Sequence, residues 1–327
     1  MFNNLLIYLI NRLRVISKSI GKREEDLTNI ITHLNWKKFN YKLSSKNKKK
    51  ITLPKNLAIT ISFYYNKNKI KYLSRTCEGI LDISRKYKIN ILTNETSSKL
   101  RKTKVLKSKN ILIHNIKNLT NTRLLPWYHI DIMKKKFNNR KYTHFMHLED
   151  DLLISKENII YWLKNREYLK RFNLIPGFIL TETNKNNKTF TTSITKKQNL
   201  KYLPKFYLNE KDVLLNVNYP YQAMYFYDRT LMKEYLFSNA CNPDHGYGAL
   251  DGNFISPKLI GLDLLAKANI GLTYTNIPKG FLNRVLFPVN IYNKKFDLDC
   301  LIKHMPNKYI KDDKTNFSKI DVNKVFK

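Results

Sequence analysis

The middle of the chain alternates short, almost wholly apolar runs with longer segments in which apolar residues recur every three or four positions. Short β-branched runs predict buried strands, and the longer recurring pattern predicts helices. The predicted strands are residues 57–64, 89–93, 110–114 and 142–148, and the predicted helices are residues 69–85, 123–137 and 156–172. Because strands that alternate with helices pair in parallel, this order predicts an α/β fold whose central sheet is mostly parallel and flanked by helices.

The second half of the chain has the same kinds of pattern with longer polar interruptions. The predicted strands are residues 177–181, 222–227 and 272–277, and the predicted helices are residues 230–238 and 258–269. The polar stretch at residues 184–201 lacks both periodicities, so we expect either a hairpin or a mobile loop there.

The N-terminal region differs from the α/β pattern. Residues 1–44 have helical spacing, and a polar, basic linker follows them. We therefore divide the chain into an N-terminal helical extension with its linker at residues 1–50, a main domain at residues 55–290 and a C-terminal tail at residues 291–327.

The first 16 residues are apolar but are interrupted by Arg12 and Arg14. They lack the early positive charge and the cleavage site of a signal peptide, and they are too few to span a bilayer. Two interpretations stay open, a helix packed on the main domain and an interfacial helix resting on a membrane. We expect a cytoplasmic protein, either free or peripheral to the inner face of an anionic membrane.

A formal net charge of +35 raises the question of nucleic-acid binding. The Lys residues are spread evenly along the chain with many Asn and Ile residues, a combination typical of A/T-rich codon usage. No Arg-rich stripe, zinc-finger spacing or ribonucleoprotein motif accompanies the charge, so we expect no nucleic-acid partner. Three cysteines without short spacing fit a reducing compartment better than a disulfide framework.

Three consecutive carboxylates, Glu149, Asp150 and Asp151, directly follow the fourth predicted strand. Ligands of open α/β sheets bind beyond the carboxyl ends of the strands. Adjacent carboxylates repel one another unless a cation relieves them, and oxygen ligands of this kind suit Mg²⁺ or Mn²⁺. The pattern predicts a metal site for a diphosphate, and the alternative is a solvated turn before a helix capped by Ser155.

Residues 144–155, His-Phe-Met-His-Leu-Glu-Asp-Asp-Leu-Leu-Ile-Ser, resemble the metal-binding stretch of GT-A glycosyltransferases. They are especially similar to the Glu-Asp-Asp version in N-acetylglucosaminyltransferase I. The resemblance covers residues 55–290 in element order, although only this segment is specific in sequence. It implies a Rossmann-like GT-A fold, a Mn²⁺ or Mg²⁺ ion held by Asp151, and a nucleotide-sugar donor supported by Glu149 and Asp150. The implied acceptor is a glycan or a lipid-linked molecule.

A transfer that inverts the sugar configuration needs a carboxylate to accept the proton of the acceptor hydroxyl. In GT-A enzymes this base often begins a helix, and the resemblance points to Asp263, preceded by Gly261 and by Leu262 in place of the usual Glu. Asp251 is the alternative, and either residue can instead be an ordinary helix cap. A late His often completes the metal site in this family, and His304 has that position.

Further positions are candidates for the donor site. They are Tyr65, Asn66, Arg75, Asn94, Glu95 and Arg284. By the resemblance, the residues after the first two strands lie where the nucleoside is bound. The two arginines are candidates to pair with phosphate oxygens.

These patterns together predict a metal-dependent glycosyltransferase of polysaccharide biosynthesis that uses a nucleotide-sugar donor. One alternative is another metal-dependent phosphoryl or nucleotidyl transferase, because the diphosphate chemistry is shared. The chain lacks the Gly-Lys-Ser/Thr phosphate loop of many such enzymes, which weakens that alternative. The other alternative is a basic adaptor without catalytic activity.

Overall fold

The computed structural model describes residues 30–38, 51–101, 103–218, 220–244, 264–315 and 317–327. The helices are α1 at residues 30–38, α2 Ile70–Ile80, α3 Ser97–Leu100, α4 His129–Asn138, α5 Lys156–Leu169, α6 Arg229–Leu236 and α7 Leu264–Ile270. The first strands are β1 Asn56–Phe63, β2 Lys86–Thr93, β3 Ile111–Asn115, β4 His144–Glu149, β5 Leu152–Leu153, β6 Ile175–Pro176 and β7 Ile179–Thr183. The remaining strands are β8 Thr189–Thr191, β9 Lys205–Tyr207, β10 Asp212–Leu215, β11 Met224–Asp228, β12 Val285–Asn290, β13 Lys295–Phe296, β14 Leu301–His304 and β15 Ile320–Asp321.

The first of three sheets has the strand order β3-β2-β1-β4-β11. The first four strands of that order are parallel, and β11 joins β4 antiparallel. The central strand β1 is buried along almost its whole length, as its β-branched run requires, and α4 packs against it. The predicted α/β class and the mostly parallel sheet flanked by helices are therefore confirmed.

Local signals account for how the elements on either side of β4 begin. Ser155 caps α5 by accepting a hydrogen bond from the Asn158 N–H, and the Asn158 side chain accepts one from the Ser155 N–H, so the two form a complete capping box. The helix predicted at residues 123–137 begins as a 3₁₀ segment, Thr122–Tyr128, and continues as α4. Pro126 lies inside the 3₁₀ segment, where its missing N–H is tolerated before the α-helical ladder begins.

The second and third sheets are assembled from shorter strands, most of them from the second half of the chain. The second sheet has the order β13-β12-β10-β9, with β6 paired to β12, and the third has the order β15-β8-β7-β14-β5. Strands β7 and β8 form a hairpin whose turn and second strand lie within residues 184–201, the stretch predicted as a hairpin or a loop. Strand β14 pairs in parallel with β7 and antiparallel with β5. Residues 291–327, which we assigned to a C-terminal tail, thus contribute β13, β14 and β15 to these two sheets.

The strand predicted at residues 272–277 is wrong. These residues form successive turns, in which the Thr273 and Thr275 N–H groups bond carbonyls three residues back. The segment is largely buried, and its apolar residues therefore match the sequence pattern of a buried strand. The backbone nevertheless forms turns and is not extended. Gly271 begins the turns with φ +52°, and a Cβ there would lie 2.2 Å from the Tyr227 hydroxyl, so glycine is required on both grounds.

The main core fills the space between the sheets and their helices. It includes Trp162, whose ring meets Phe226 edge-on at 4.7 Å. Beside β4 of the first sheet, the rings of His129 and His147 stack 4.0 Å apart, and both residues are fully buried. Within the described ranges, no helix combines the length and the apolar character that crossing a bilayer requires. The apolar segment at residues 1–16 lies outside the described residues.

Candidate active site

A cleft of about 1400 Å³ opens where β1 and β4 end. Its described lining includes every member of the acidic triplet, together with Ser62 from the end of β1 and His304 from β14. The cationic side chains of the lining are Lys69, Lys196, Lys197, Lys308 and Lys327. The cleft thus lies at the carboxyl end of the parallel strands, where open α/β sheets bind their ligands.

Glu149 is the last residue of β4 and is held in place by the protein itself. Its Oε1 accepts hydrogen bonds from the Tyr221 hydroxyl at 2.7 Å and from the Asn269 side-chain amide at 2.8 Å. Burial and the neighbouring charge of Asp151 raise the pKa of Glu149 to about 7. The carboxylate is therefore fixed in orientation, and with this pKa it is partly protonated near neutral pH.

Asp150 and Asp151 each keep one buried carboxylate oxygen without a protein partner, namely Asp150 Oδ2 and Asp151 Oδ1. Thr76 donates its hydroxyl hydrogen bond to the backbone carbonyl of Asp150 and so fixes the main chain at this position. Burial and then the charge of Asp151 raise the pKa of Asp150 to about 8. Unpartnered buried carboxylate oxygens cost stability, so their presence indicates that a ligand completes them.

Asp151, His304 and Glu182 form a continuous chain of contacts. His304 Nε2 lies 3.3 Å from Asp151 Oδ2, and His304 Nδ1 lies 2.6 Å from Glu182 Oε1. Glu182 also accepts hydrogen bonds from the backbone N–H groups of Tyr309 and Ile310. All three side chains of the chain of contacts are almost completely inaccessible to solvent.

The contacts among Asp151, His304 and Glu182 favour a charged imidazole and a charged Asp151. Burial alone lowers the pKa of His304, but the hydrogen bonds to Asp151 and Glu182 outweigh it and raise the pKa to about 9. Burial likewise raises the pKa of Asp151, but His304 outweighs it and brings the pKa below its usual value. The same negative surroundings that hold a proton on His304 also suit a metal ion.

The arrangement fits an open metal site and not a closed one. Within the described ranges, no three His, Cys, Asp or Glu side chains are grouped closely enough to enclose a metal ion by themselves. For such an ion Asp151 would supply an oxygen ligand and His304, after losing its Nε2 proton, a nitrogen ligand, and Glu182 contacts the imidazole on Nδ1. Mg²⁺ sites commonly use one or two carboxylates and leave the other positions to phosphates and water. The unpartnered Asp151 Oδ1 is available for such an ion.

Two lysines beside the triplet were not predicted from the sequence. Lys69 ends the 3₁₀ segment after β1, and its charge opposes the raised pKa of Asp150. Burial alone lowers the pKa of Lys308, but Tyr309 and the triplet carboxylates outweigh it and raise the pKa. Both lysines were hidden among 60 Lys and Arg residues, and the only sequence signal for Lys308 is its position four residues after His304.

A second, smaller pocket of about 480 Å³ adjoins the ends of the first two strands, but of the residues predicted there Tyr65, Asn66 and Glu95 do not line it. Asn94 lines this pocket, and its side-chain oxygen accepts the Tyr65 N–H at 2.8 Å. Asn115 and Asn118 add further amide groups to the lining. Tyr64 and Thr122 line both the pocket and the large cleft, so the two spaces adjoin each other.

Three other predicted donor residues have local roles in the structure and do not line either space. The Asn66 side chain caps the 3₁₀ segment by accepting the Asn68 N–H. Glu95 pairs with Lys99 at 2.8 Å on the surface. Arg75 is exposed on α2.

The expected phosphate contact of Arg284 is not compatible with the structure. Arg284 is completely buried, and its guanidinium makes five hydrogen bonds, which go to Glu234, Asn173 and Thr275. These bonds use every N–H that the group has, so none is left for a ligand. Arg284 is therefore a structural residue.

The two candidates for the catalytic base, Asp251 and Asp263, lie outside the described residues and stay predictions. The described chain resumes with α7, whose first residue Leu264 accepts a hydrogen bond from the Trp127 indole at 2.8 Å. Leu265 and Ala266 line the cleft. No protein-family model matches the chain, and no curated protein matches it in sequence.

Proposed function

We propose that this protein is a metal-dependent glycosyltransferase of the GT-A type, which moves a sugar from a nucleotide-sugar donor to a hydroxyl group of a glycan or lipid-linked acceptor. The observation that carries the proposal is the Asp151–His304 pair, which ends in an unpartnered carboxylate oxygen inside the cleft. Lys69 and Lys308 lie beside it. A site with two metal ligands and flanking cations suits a nucleoside diphosphate that completes the coordination of the ion.

Each group then has a physical task. Asp151 and His304 would hold the Mn²⁺ or Mg²⁺ ion, with the Nε2 proton of His304 released to solvent as the ion binds, and Glu182 fixes the imidazole in the orientation that directs Nε2 toward Asp151. Lys69 and Lys308 attract the diphosphate as it leaves the sugar. When bound, the ion would neutralise the charge that develops on that leaving group.

The smaller pocket supports a nucleoside beside the diphosphate. Its amide groups can donate to and accept from a base, and its shared border with the cleft allows one ligand to span both spaces. The glycosyl transfer itself then needs a base in the acceptor part of the cleft, for which Asp263 is the first candidate and Asp251 the second.

The alternatives account less well for the buried triplet. An adaptor gains nothing from buried carboxylates whose pKa values are raised by burial, since they only reduce stability. A nucleotidyl transferase shares the metal chemistry, but the sequence provides no phosphate loop for it.

Turnover of a panel of nucleotide sugars, with and without Mn²⁺, tests the proposal. We expect Mn²⁺-dependent release of nucleoside diphosphate that Asp151→Asn abolishes while circular dichroism shows an unchanged fold. Asp313→Asn is the matched control, because the Asp313 side chain is fully exposed on the surface. Full activity in Asp151→Asn, or no binding of any nucleoside diphosphate, would falsify the proposal.

The proposed location is the cytoplasm, with contact to an anionic membrane through the basic surface. The charge of +35 supports that contact, and salt should weaken it because electrostatic attachment is screened. Fractionation at low and high salt tests this, and release only by detergent would contradict it.

A further inference from the structure

A second wall of the cleft is formed by residues 192–199, which follow β8 and which we call the lysine wall. The chain fixes this wall at both ends. Ser193 Oγ accepts the Leu180 N–H at 2.8 Å and donates to the Tyr221 carbonyl at 2.6 Å. Gln198 pairs with residues 325–327, since it donates its N–H to Val325 and accepts the Lys327 N–H. The wall is therefore a defined surface of the cleft.

The side chains by which the lysine wall lines the cleft are hydrogen-bond donors and cations. Lys196 and Lys197 line the cleft, and the pairing with Gln198 brings Lys327 into the same lining. Thr192 also lines it, is only 4% exposed, and has a buried hydroxyl without a protein partner. Among the described residues of the lining, every acidic side chain belongs to the triplet. The lysine wall thus has positive charge and no acidic residue of its own.

We propose that the lysine wall binds the phosphate group of a phosphate-bearing acceptor. Lysines are strong phosphate ligands as point charges, and a threonine hydroxyl adds a directed donor to the same group. The word acceptor rests on the proposed function, whereas the binding of phosphate at this wall does not. The wall also continues into Tyr202 and Leu203, which line the cleft and give an apolar surface beside the charged one.

The even spread of Lys along the chain is the competing explanation, and the cleft itself argues against it. A codon bias places lysines anywhere on the surface, whereas Lys196, Lys197 and Lys327 line one cleft, together with Thr192, whose buried hydroxyl lacks a protein partner. Such a hydroxyl costs free energy in the empty protein, and a ligand oxygen would recover it.

The experiment measures phosphate binding directly. The protein is saturated with a nucleoside diphosphate and Mn²⁺ and is then titrated with a soluble sugar 1-phosphate, followed by calorimetry. In a second arm, the protein is sedimented with vesicles of phosphatidylcholine containing phosphatidylglycerol. The first arm reports a soluble phosphorylated acceptor, and the second reports a lipid phosphate.

We expect binding in one arm, weakened about tenfold or more by the double substitution Lys196→Gln/Lys197→Gln, because the loss of even one charged hydrogen bond is worth about a factor of ten. The control is Lys185→Gln/Lys188→Gln, which removes the same charge from exposed positions in the β7–β8 turn that do not line the cleft. Thr192→Val should weaken binding about threefold and leave the melting temperature equal or higher, since it removes an unpartnered hydroxyl.

Equal weakening by the two double variants would overturn the proposal, because it would reduce the wall to general surface charge. Absence of binding in both arms would overturn it as well. If phosphate binding depends on Lys196 and Lys197 in a protein that binds no nucleoside diphosphate, the lysine wall is retained and the proposed glycosyltransferase function is not. If Asp151→Asn loses nucleotide binding but keeps phosphate binding, the two sites are independent, as we expect.

Discussion

Two clusters described above bury a basic side chain against carboxylates, and they differ in whether every hydrogen-bonding atom has a partner. In the first, Arg284 is bonded by Glu234 and by neighbouring backbone and amide oxygens, so that all its donors are used. In the second, His304 is bonded on both nitrogens by Glu182 and Asp151, but Asp151 keeps a free oxygen. Only the second cluster lines the cleft.

The difference teaches how a structural cluster can be told from a binding cluster. Burial and an ion pair are common to both, so neither property identifies a site. The distinguishing property is whether every buried hydrogen-bonding atom has a partner. A cluster in which all donors and acceptors are paired stabilises the fold, whereas one that leaves a buried oxygen unpaired is incomplete without a ligand. Four variants test this distinction between the two kinds of cluster.

The largest effect is expected from Arg284→Met. Removing the guanidinium takes away its five hydrogen bonds and leaves Glu234 with Asn276 as a hydrogen-bond donor but without its charged partner, and breaking a buried pair costs about 3–5 kcal/mol. We expect the free energy of unfolding in urea to fall by that amount, while the exposed pair of Lys99 and Glu95 can be broken by Lys99→Met without a measurable change. If Arg284→Met is instead stable and has lost nucleotide binding, the two clusters have been assigned the wrong way round.

His304→Gln should have its main effect on binding. Glutamine can still bond Glu182 but cannot ligate the ion as an imidazole does. We expect the Mn²⁺-dependent affinity for a nucleoside diphosphate to fall about 100-fold with the fold retained. Calorimetric titration at several Mn²⁺ concentrations measures this, and an unchanged Mn²⁺ dependence would remove His304 from the site.

His129 is another buried basic side chain, and its ring bonds no carboxylate among the described residues. It donates from Nδ1 to the Pro126 carbonyl at 2.6 Å and accepts the Tyr235 hydroxyl on Nε2 at 3.1 Å, and burial lowers its pKa to about 4. A lowered folded-state pKa gives stability that is present above pH 6.5 and is lost as the pH falls toward 4.

Between pH 7 and pH 5, His129 alone should therefore reduce the free energy of unfolding by about 2 kcal/mol. His129→Gln keeps a donor and an acceptor but does not titrate, so we expect a shallower loss of stability over the same interval. Urea unfolding at the two pH values measures the difference. Parallel losses in the two proteins would mean that His129 is protonated in the folded state.

The smallest effect is expected from Glu182→Gln. The amide oxygen can still accept the backbone N–H groups of Tyr309 and Ile310, but it lacks the negative charge that polarises His304. We expect the metal affinity to fall about tenfold, less than for His304→Gln. A larger loss than that of His304→Gln would indicate that Glu182 itself contacts the ligand.

The sequence was informative where local pattern decides the structure. The four parallel strands, the triplet after the fourth strand and the capping by Ser155 all follow from periodicity and residue type. Pairing between distant segments was not predictable in this way. Strand β14 was placed in a tail because its four residues show no recognisable period, and its position between β7 and β5 depends on long-range contacts.

The same limit applies to the site. His304 was proposed only by family resemblance, and its partner Glu182 was not proposed, because no local pattern connects residues 122 positions apart. Arg284 and His304 were equivalent as late basic residues until the structure gave their contacts. A single sequence records which groups are present, but not which of them end without a partner.

The late position of β14 also has a consequence for the order in which the protein is made. Asp151 and His304 are separated by about 150 residues, which a ribosome adds in roughly ten to thirty seconds. During that interval the first sheet can already have formed, while the triplet lacks the imidazole that completes it. The nascent chain therefore acquires its proposed metal site only after β14 has been added, so a chain cut short before β14 would contain the triplet without the imidazole that is proposed to ligate the ion.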